Sequence, residues 1–192
     1  MEQLDGRVAV ILGGGSEAGQ AIARPLAKAG ATVVLVDGDA EAADTAAAAI
    51  RKGWGTAAVQ VVDILDATSA RASVNTISRT CGGIDILVLQ QIDPAGEDHL
   101  IDAALPVMNE RGHGVLVLAD TQGRARTKTA AIEERLSACR HRIASKNSHG
   151  VLTYAVAPLE LENSDLGAAI TYLATRRPHT ELAGRLIVVP PS

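Results

Sequence analysis

Short runs of valine, isoleucine, leucine and alanine, without polar alternation, recur at residues 7–12, 32–37, 57–62, 84–90, 114–119, 151–157 and 185–189. A strand with one wet face alternates apolar and polar residues, whereas a strand covered on both faces reads as a continuous apolar run. Between the runs lie Ala-rich stretches at helical spacing, long enough for crossover helices. The pattern predicts an α/β fold, a doubly wound parallel sheet of about seven strands with helices on both faces.

The 192 residues are 47% apolar, enough for the core of one domain, and they contain no repeat or Pro/Ser-rich linker. We expect a single domain over 1–192. Aromatic residues make up only 2%, namely Trp54, Tyr154 and Tyr172, so the core must be aliphatic and platforms for stacking bases are scarce. A net charge of -4 argues against nucleic acid or anionic membranes as partners. The basic residues between Arg111 and Lys146 are interrupted by Glu133 and Glu134, and they read as a solvated helix face. Cys81 and Cys139 lack metal-ligand spacing, as do the five histidines, so no metal site is expected. No run approaches a membrane span, and free cysteines suit a reducing compartment; a cytoplasmic protein is the expectation.

Two helices carry finer signals. Ile132, Leu136, Cys139 and Ile143 form an apolar stripe suited to packing on the sheet. Pro25, inside the first expected helix, removes a hydrogen bond to residue 21 and predicts a kink.

Directly after the first run, Gly13, Gly15 and Ala18 satisfy G-x-G-x-x-A, and Asp37 closes the second run. Glycines let a backbone turn closely around a pyrophosphate, a helix N-terminus attracts its charge, and an acid one strand over accepts from ribose hydroxyls. These residues make the sheet Rossmann-like. The candidate cofactor-binding residues are Gly13, Gly15, Ser16, Gly19, Asp37 and Asp63, the last at the end of the third run.

The chain resembles the short-chain dehydrogenase/reductase family. "LDGRVAVILGGGSEAGQAIARPLAKAGATVVLVD" is similar to that family's opening, "VVDILD" to its third strand and "GGIDILV" to its fourth. "ALPVMNERGHGVLVLAD", "GVLTYAVAP" and "TYLATRRPHTELAGRLIVV" continue the likeness to the last strand. The resemblance implies an NAD(P)-dependent oxidoreductase with a catalytic serine, tyrosine, lysine and asparagine, in which the lysine lowers the tyrosine's pKa.

This chain departs from that set. Counting back from "GVLTYAVAP" places Lys128 at the tyrosine position, Ile132 at the lysine position and Thr121 near the serine. Isoleucine cannot lower a pKa, and an ordinary lysine is protonated at neutral pH. The family's "NNAG" reads Leu89, Gln90, Gln91, Ile92. The stretch from Leu89 to Gly114 predicts a shortened active-site helix, with the asparagine's place near Asp93. The stretch from Pro158 to Tyr172 leaves no room for the usual substrate lid. No catalytic residue is therefore assigned.

Glu17 occupies the place of the loop glycine nearest the pyrophosphate. A carboxylate there opposes phosphate and could itself use the helix N-terminus. We expect a self-capped loop with no bound cofactor, or NAD(H) if any, since Asp37 repels a 2'-phosphate. The leading functional expectation is a non-catalytic subunit that pairs with a catalytic family member, or with its own copy. Two alternatives stay open: an NAD(H)-dependent oxidoreductase using Asp120, Thr121 or Lys128, and an NAD(H) sensor without chemistry.

Overall fold

In the computed structural model, which describes residues 4–53, 55–90, 93–121, 129–146, 150–158, 164–175 and 180–189, each apolar run becomes a strand. The first half runs β1 (Val8–Leu12), α1 (Glu17–Lys28), β2 (Thr32–Asp37), α2 (Ala40–Lys52), β3 (Thr56–Val61), α3 (Ala67–Cys81) and β4 (Ile86–Leu89). The second half runs α4 (Pro94–Glu110), β5 (Gly114–Ala119), α5 (Thr129–Ser145), β6 (Val151–Pro158), α6 (Ser164–Leu173) and β7 (Leu186–Val189). All pairings are parallel, in the order β3-β2-β1-β4-β5-β6-β7.

Strand periodicity divides the core in two. Val8, Val10 and Leu12 of β1 face a layer with Val74 and Ile77 of α3, Leu100 and Leu105 of α4, and Ile132 and Leu136 of α5. Ala9 and Ile11 face the opposite layer, with Ile22 and Leu26 of α1, Ile50 of α2 and Ile170 of α6. Both layers are almost wholly aliphatic, each fully buried Leu or Ile contributing roughly 1.5–3 kcal/mol. The α5 stripe behaves as expected: Ile132, Leu136, Cys139 and Ile143 are all buried. Burial also pushes the Cys139 thiol up to about 11, so it packs as an inert apolar group.

Local caps fix the helix starts. Ser16, Asp39, Asp66 and Asp93 each accept a first-turn N–H at the head of α1, α2, α3 and α4. Helix α1 continues through Pro25 to Lys28, and α6 crosses it so closely that a Cβ on Gly167 would lie 2.5 Å from the Ala21 carbonyl oxygen. That carbonyl is the one Pro25 leaves without its helical donor.

Two expectations change. Between β4 and β5 the chain still builds a 17-residue helix, α4, which Asp93 caps and which starts at Pro94. The basic residues of α5 are only in part a solvated face: Arg140 is exposed, but Arg135 pairs with Glu97 (2.8 Å) and Asp98 (3.1 Å), and Arg142 with Asp98 and Asp102, both 2.7 Å, all on α4. Glu97 is fully buried, so its charge requires that partner.

At the N-terminal edge of the sheet, buried Asp85 gathers β1, β4 and β5. Its Oδ1 accepts from Arg7 (2.9 Å), Arg111 (3.1 Å) and His113 (2.7 Å), and its Oδ2 from the Val8 N–H (2.8 Å). Among the described residues, no helix is long and apolar enough to cross a membrane.

Candidate functional site

The strand order reverses beside β1, whose neighbours β2 and β4 lead their crossovers to opposite faces. A crevice opens at such a switch point, beyond the carboxyl ends of the strands. The glycine loop leaves β1 there. Gly13 has φ of 71°, which suits glycine, and a Cβ on Gly19 would fall 2.2 Å from the Gly13 carbonyl oxygen. Gly15 packs against the start of α2, where a Cβ would meet Ala42 at 2.9 Å.

The loop's hydrogen bonds are largely internal. The Gly13 and Gly14 amides donate to the Val36 carbonyl, and the Gly15 amide donates to Asp37 Oδ2 at 2.9 Å. The Ser16 amide donates to the Gly13 carbonyl, the Gly19 amide to Ser16 Oγ at 3.0 Å, and the Gln20 amide to the Ser16 carbonyl. Among the described bonds this leaves the amides of Glu17 and Ala18 at the head of α1. The cap is therefore the Ser16 hydroxyl, not the Glu17 carboxylate that the sequence suggested. A shorter side chain reaches Gly19 with good geometry, while Glu17 opens the first helical turn and stays exposed.

Sequence reasoning missed Gln90. Its buried side chain donates from Nε2 to the carbonyls of Leu12 (2.7 Å) and Gly13 (3.2 Å), tying the end of β4 to the loop. A polar residue ending an apolar strand at the switch point was the signal available. Gln90→Leu is expected to lower stability by about 1–3 kcal/mol, because it removes the buried side-chain donor from the Leu12 carbonyl and one of the donors from the Gly13 carbonyl, which keeps Ser16. Urea unfolding measures this, and an unchanged midpoint would count against the clamp.

Beside the loop lies a cleft of about 630 Å³ lined by Gly13, Asp37, Val61, Asp63, Leu65 and Asp93, among others. Val61 and Leu65 are 50% and 62% exposed, unusual for such apolar residues, and both face this hollow. Asp37 is held by the amides of Gly15 and Asp39, and Asp63 Oδ1 by the Leu65 amide at 3.0 Å. All six predicted binding residues thus lie at one end of the sheet. Gly13, Asp37 and Asp63 line the cleft, and Gly15, Ser16 and Gly19 build the loop beside it.

The positions carried over for chemistry are occupied differently. Ile132 is 1% exposed and packs in the core. Tyr154 is fully buried in β6, where burial raises its phenol pKa and nearby Glu181 raises it further, opposite to what a proton-transfer tyrosine needs. Tyr172 is exposed on α6. Asp120 is buried at the end of β5 and Thr121 follows it half-buried. Lys128, Gln91 and Ile92 lie outside the described residues. So do residues 159–163, which are the whole connection from β6 to α6.

Comparison with known proteins bears on the glycine-loop half of the chain and on the fold. Residues 7–91 match the short chain dehydrogenase family. That stretch carries β1 to β4, the glycine loop, Asp37, Asp63 and Gln90. The D-threitol dehydrogenase of Mycolicibacterium smegmatis is 36% identical over 104 residues, which are 52% of this chain and 40% of that protein. A short chain dehydrogenase of Pseudocercospora fijiensis is 26% identical across 94% of this chain and 67% of its own length. The chain thus spans about two-fifths of the first relative and about two-thirds of the second. Among solved structures, a hydroxysteroid dehydrogenase from Escherichia coli superposes with a TM-score of 0.82 at 21% identity, covering 97% of this chain and 96% of that one. A gluconate 5-dehydrogenase from Burkholderia cenocepacia, in complex with NADP and tartrate, gives 0.79 at 23% identity, covering 98% and 95%. These superpositions establish the fold.

Proposed function

We propose that this chain is a non-catalytic subunit of the short-chain dehydrogenase type. It keeps the sheet and the nucleoside end of the cleft, and it pairs with a catalytic dehydrogenase or reductase subunit to stabilise or regulate NAD-dependent oxidoreductase activity. The observation that carries the reading is the fate of its tyrosines. The sequence has only two, one sealed in β6 and one exposed on α6, and neither lines the cleft. The buried Ile132 at the lysine position supports the same reading. With only residues 159–163 between β6 and α6, little chain is left there for a lid that would exclude water from a reaction. Meanwhile the aliphatic layers, helix caps and interhelical ion pairs are intact, as a partner-binding scaffold requires.

A second reading, an oxidoreductase with Asp120, Thr121 or Lys128 in substituted roles, draws support from the relatives, several of which are named as dehydrogenases. Recovery of the tagged chain from its own cells, with sizing of the complex and mass spectrometry, separates the two. The subunit reading expects a stoichiometric dehydrogenase with a Tyr-x-x-x-Lys helix. Recovery of the chain alone would overturn it.

A further inference from the structure

The nucleotide-binding cleft implied by the fold does not suit both halves of a dinucleotide. Its outer part fits a nucleoside. Asp37 stands at the end of β2, where a carboxylate accepts from ribose hydroxyls. Val61 and Leu65 offer an exposed apolar wall for a planar base. Asp63 commits Oδ1 to the Leu65 amide, and its carboxylate stands at the same wall, ready to accept from an exocyclic amino group.

The phosphate end does not fit. Among the described residues, the cleft is lined by three carboxylates, Asp37, Asp63 and Asp93, and by no lysine or arginine. The loop's amides are spent on Val36, Asp37, Gly13 and Ser16, apart from those of Glu17 and Ala18. These two N–H groups belong to Glu17 and its neighbour, and Glu17 carries an exposed negative charge in the first turn of α1. A pyrophosphate would have to share the helix N-terminus with that carboxylate. Asp37 also does two things at once, since it holds the Gly15 amide and leaves that amide unavailable to phosphate.

We propose that this cleft binds an aminopurine nucleoside without phosphate, in preference to a dinucleotide. The inference rests on the reading that the cleft beside β1 to β3 is a nucleoside site, and it replaces NAD(H) as the preferred occupant. Selectivity comes from charge: the ribose and base find their partners, while each phosphate meets the like charge of Glu17 at the head of α1 and of the cleft carboxylates.

Isothermal titration of the full chain with adenosine, ADP and NADH tests this at low salt. Adenosine is expected to bind about tenfold tighter than ADP or NADH, an ordinary size for a like-charge contact in a partly screened site. Glu17→Gly and the isosteric Glu17→Gln should each strengthen ADP and NADH binding by about tenfold and leave adenosine unchanged. Asp37→Asn should weaken all three. Circular dichroism verifies that each variant is folded. NADH binding tighter than adenosine in the unaltered chain would overturn this inference and leave the nucleoside cleft standing. Absence of binding by all three, in the parent and in both Glu17 variants, would overturn the inference and the cleft reading together.

Discussion

Replacing Asp85 with alanine is expected to lower the unfolding free energy by about 3–5 kcal/mol, the usual cost of removing one partner from a buried ionic cluster. Its side chain is 1% exposed, and Arg7, Arg111, His113 and the Val8 amide all converge on it. Without the carboxylate, two guanidinium groups face each other and three strand starts lose their common tie. Burial alone would raise the carboxyl's pKa, but the Val8 amide, Arg7, His113 and Arg111 outweigh it, and the folded value lies below the ordinary 3.8. The sign follows. A depressed acid stabilises the fold above its unfolded pKa, and that stability is lost as pH falls through the lowered folded value. Urea unfolding at neutral pH and at successive steps below the ordinary carboxyl range checks both points. The parent should lose stability on acidification more steeply than Asp85→Ala. Equal stability of the two proteins at neutral pH would contradict the role assigned to the cluster.

Ile132→Lys, which puts the expected family residue back in its place, should not restore chemistry. It should cost about 3 kcal/mol or more, because an ammonium would enter the aliphatic layer in which Ile132 is 1% exposed. Ile132 packs in the cluster that also holds Leu136, Cys139 and Ile143 of the same helix. Thermal unfolding and an NAD(P)H absorbance assay on the same preparation read both halves of the prediction. A stable Ile132→Lys protein would mean that the side chain can reach solvent or the cleft, and the reading of α5 as a purely structural helix would fail.

The sheet was legible because its strands are covered on both faces. Residues such as Val8 to Leu12 must be apolar whichever way they point, and that necessity is written directly into the sequence. The glycine loop and Asp37 were legible for a similar reason, since close backbone approach tolerates few residue types. Interactions set by geometry across the fold were not legible. The pairing of Arg135 and Arg142 with Glu97, Asp98 and Asp102 joins two helices distant in sequence, and nothing local distinguishes such arginines from solvated ones. The Gln90 clamp was hidden in the same way. The helix cap was misassigned because Ser16 and Glu17 both offer an acceptor at the start of α1, and only the backbone at Ser16, with ψ of 159°, decides between them. The short stretch before β5 pointed to a shortened helix; the chain instead has Asp93 cap a 17-residue α4 that runs to Glu110.

The most direct test of the account is steady-state turnover by the purified chain alone, assayed with NAD(H) and NADP(H) against a panel of polyols, secondary alcohols and the corresponding ketones. The account predicts no rate above the protein-free blank. Sustained turnover that disappears on replacing Thr121 or Asp120 would contradict it and establish a dehydrogenase working without a catalytic tyrosine.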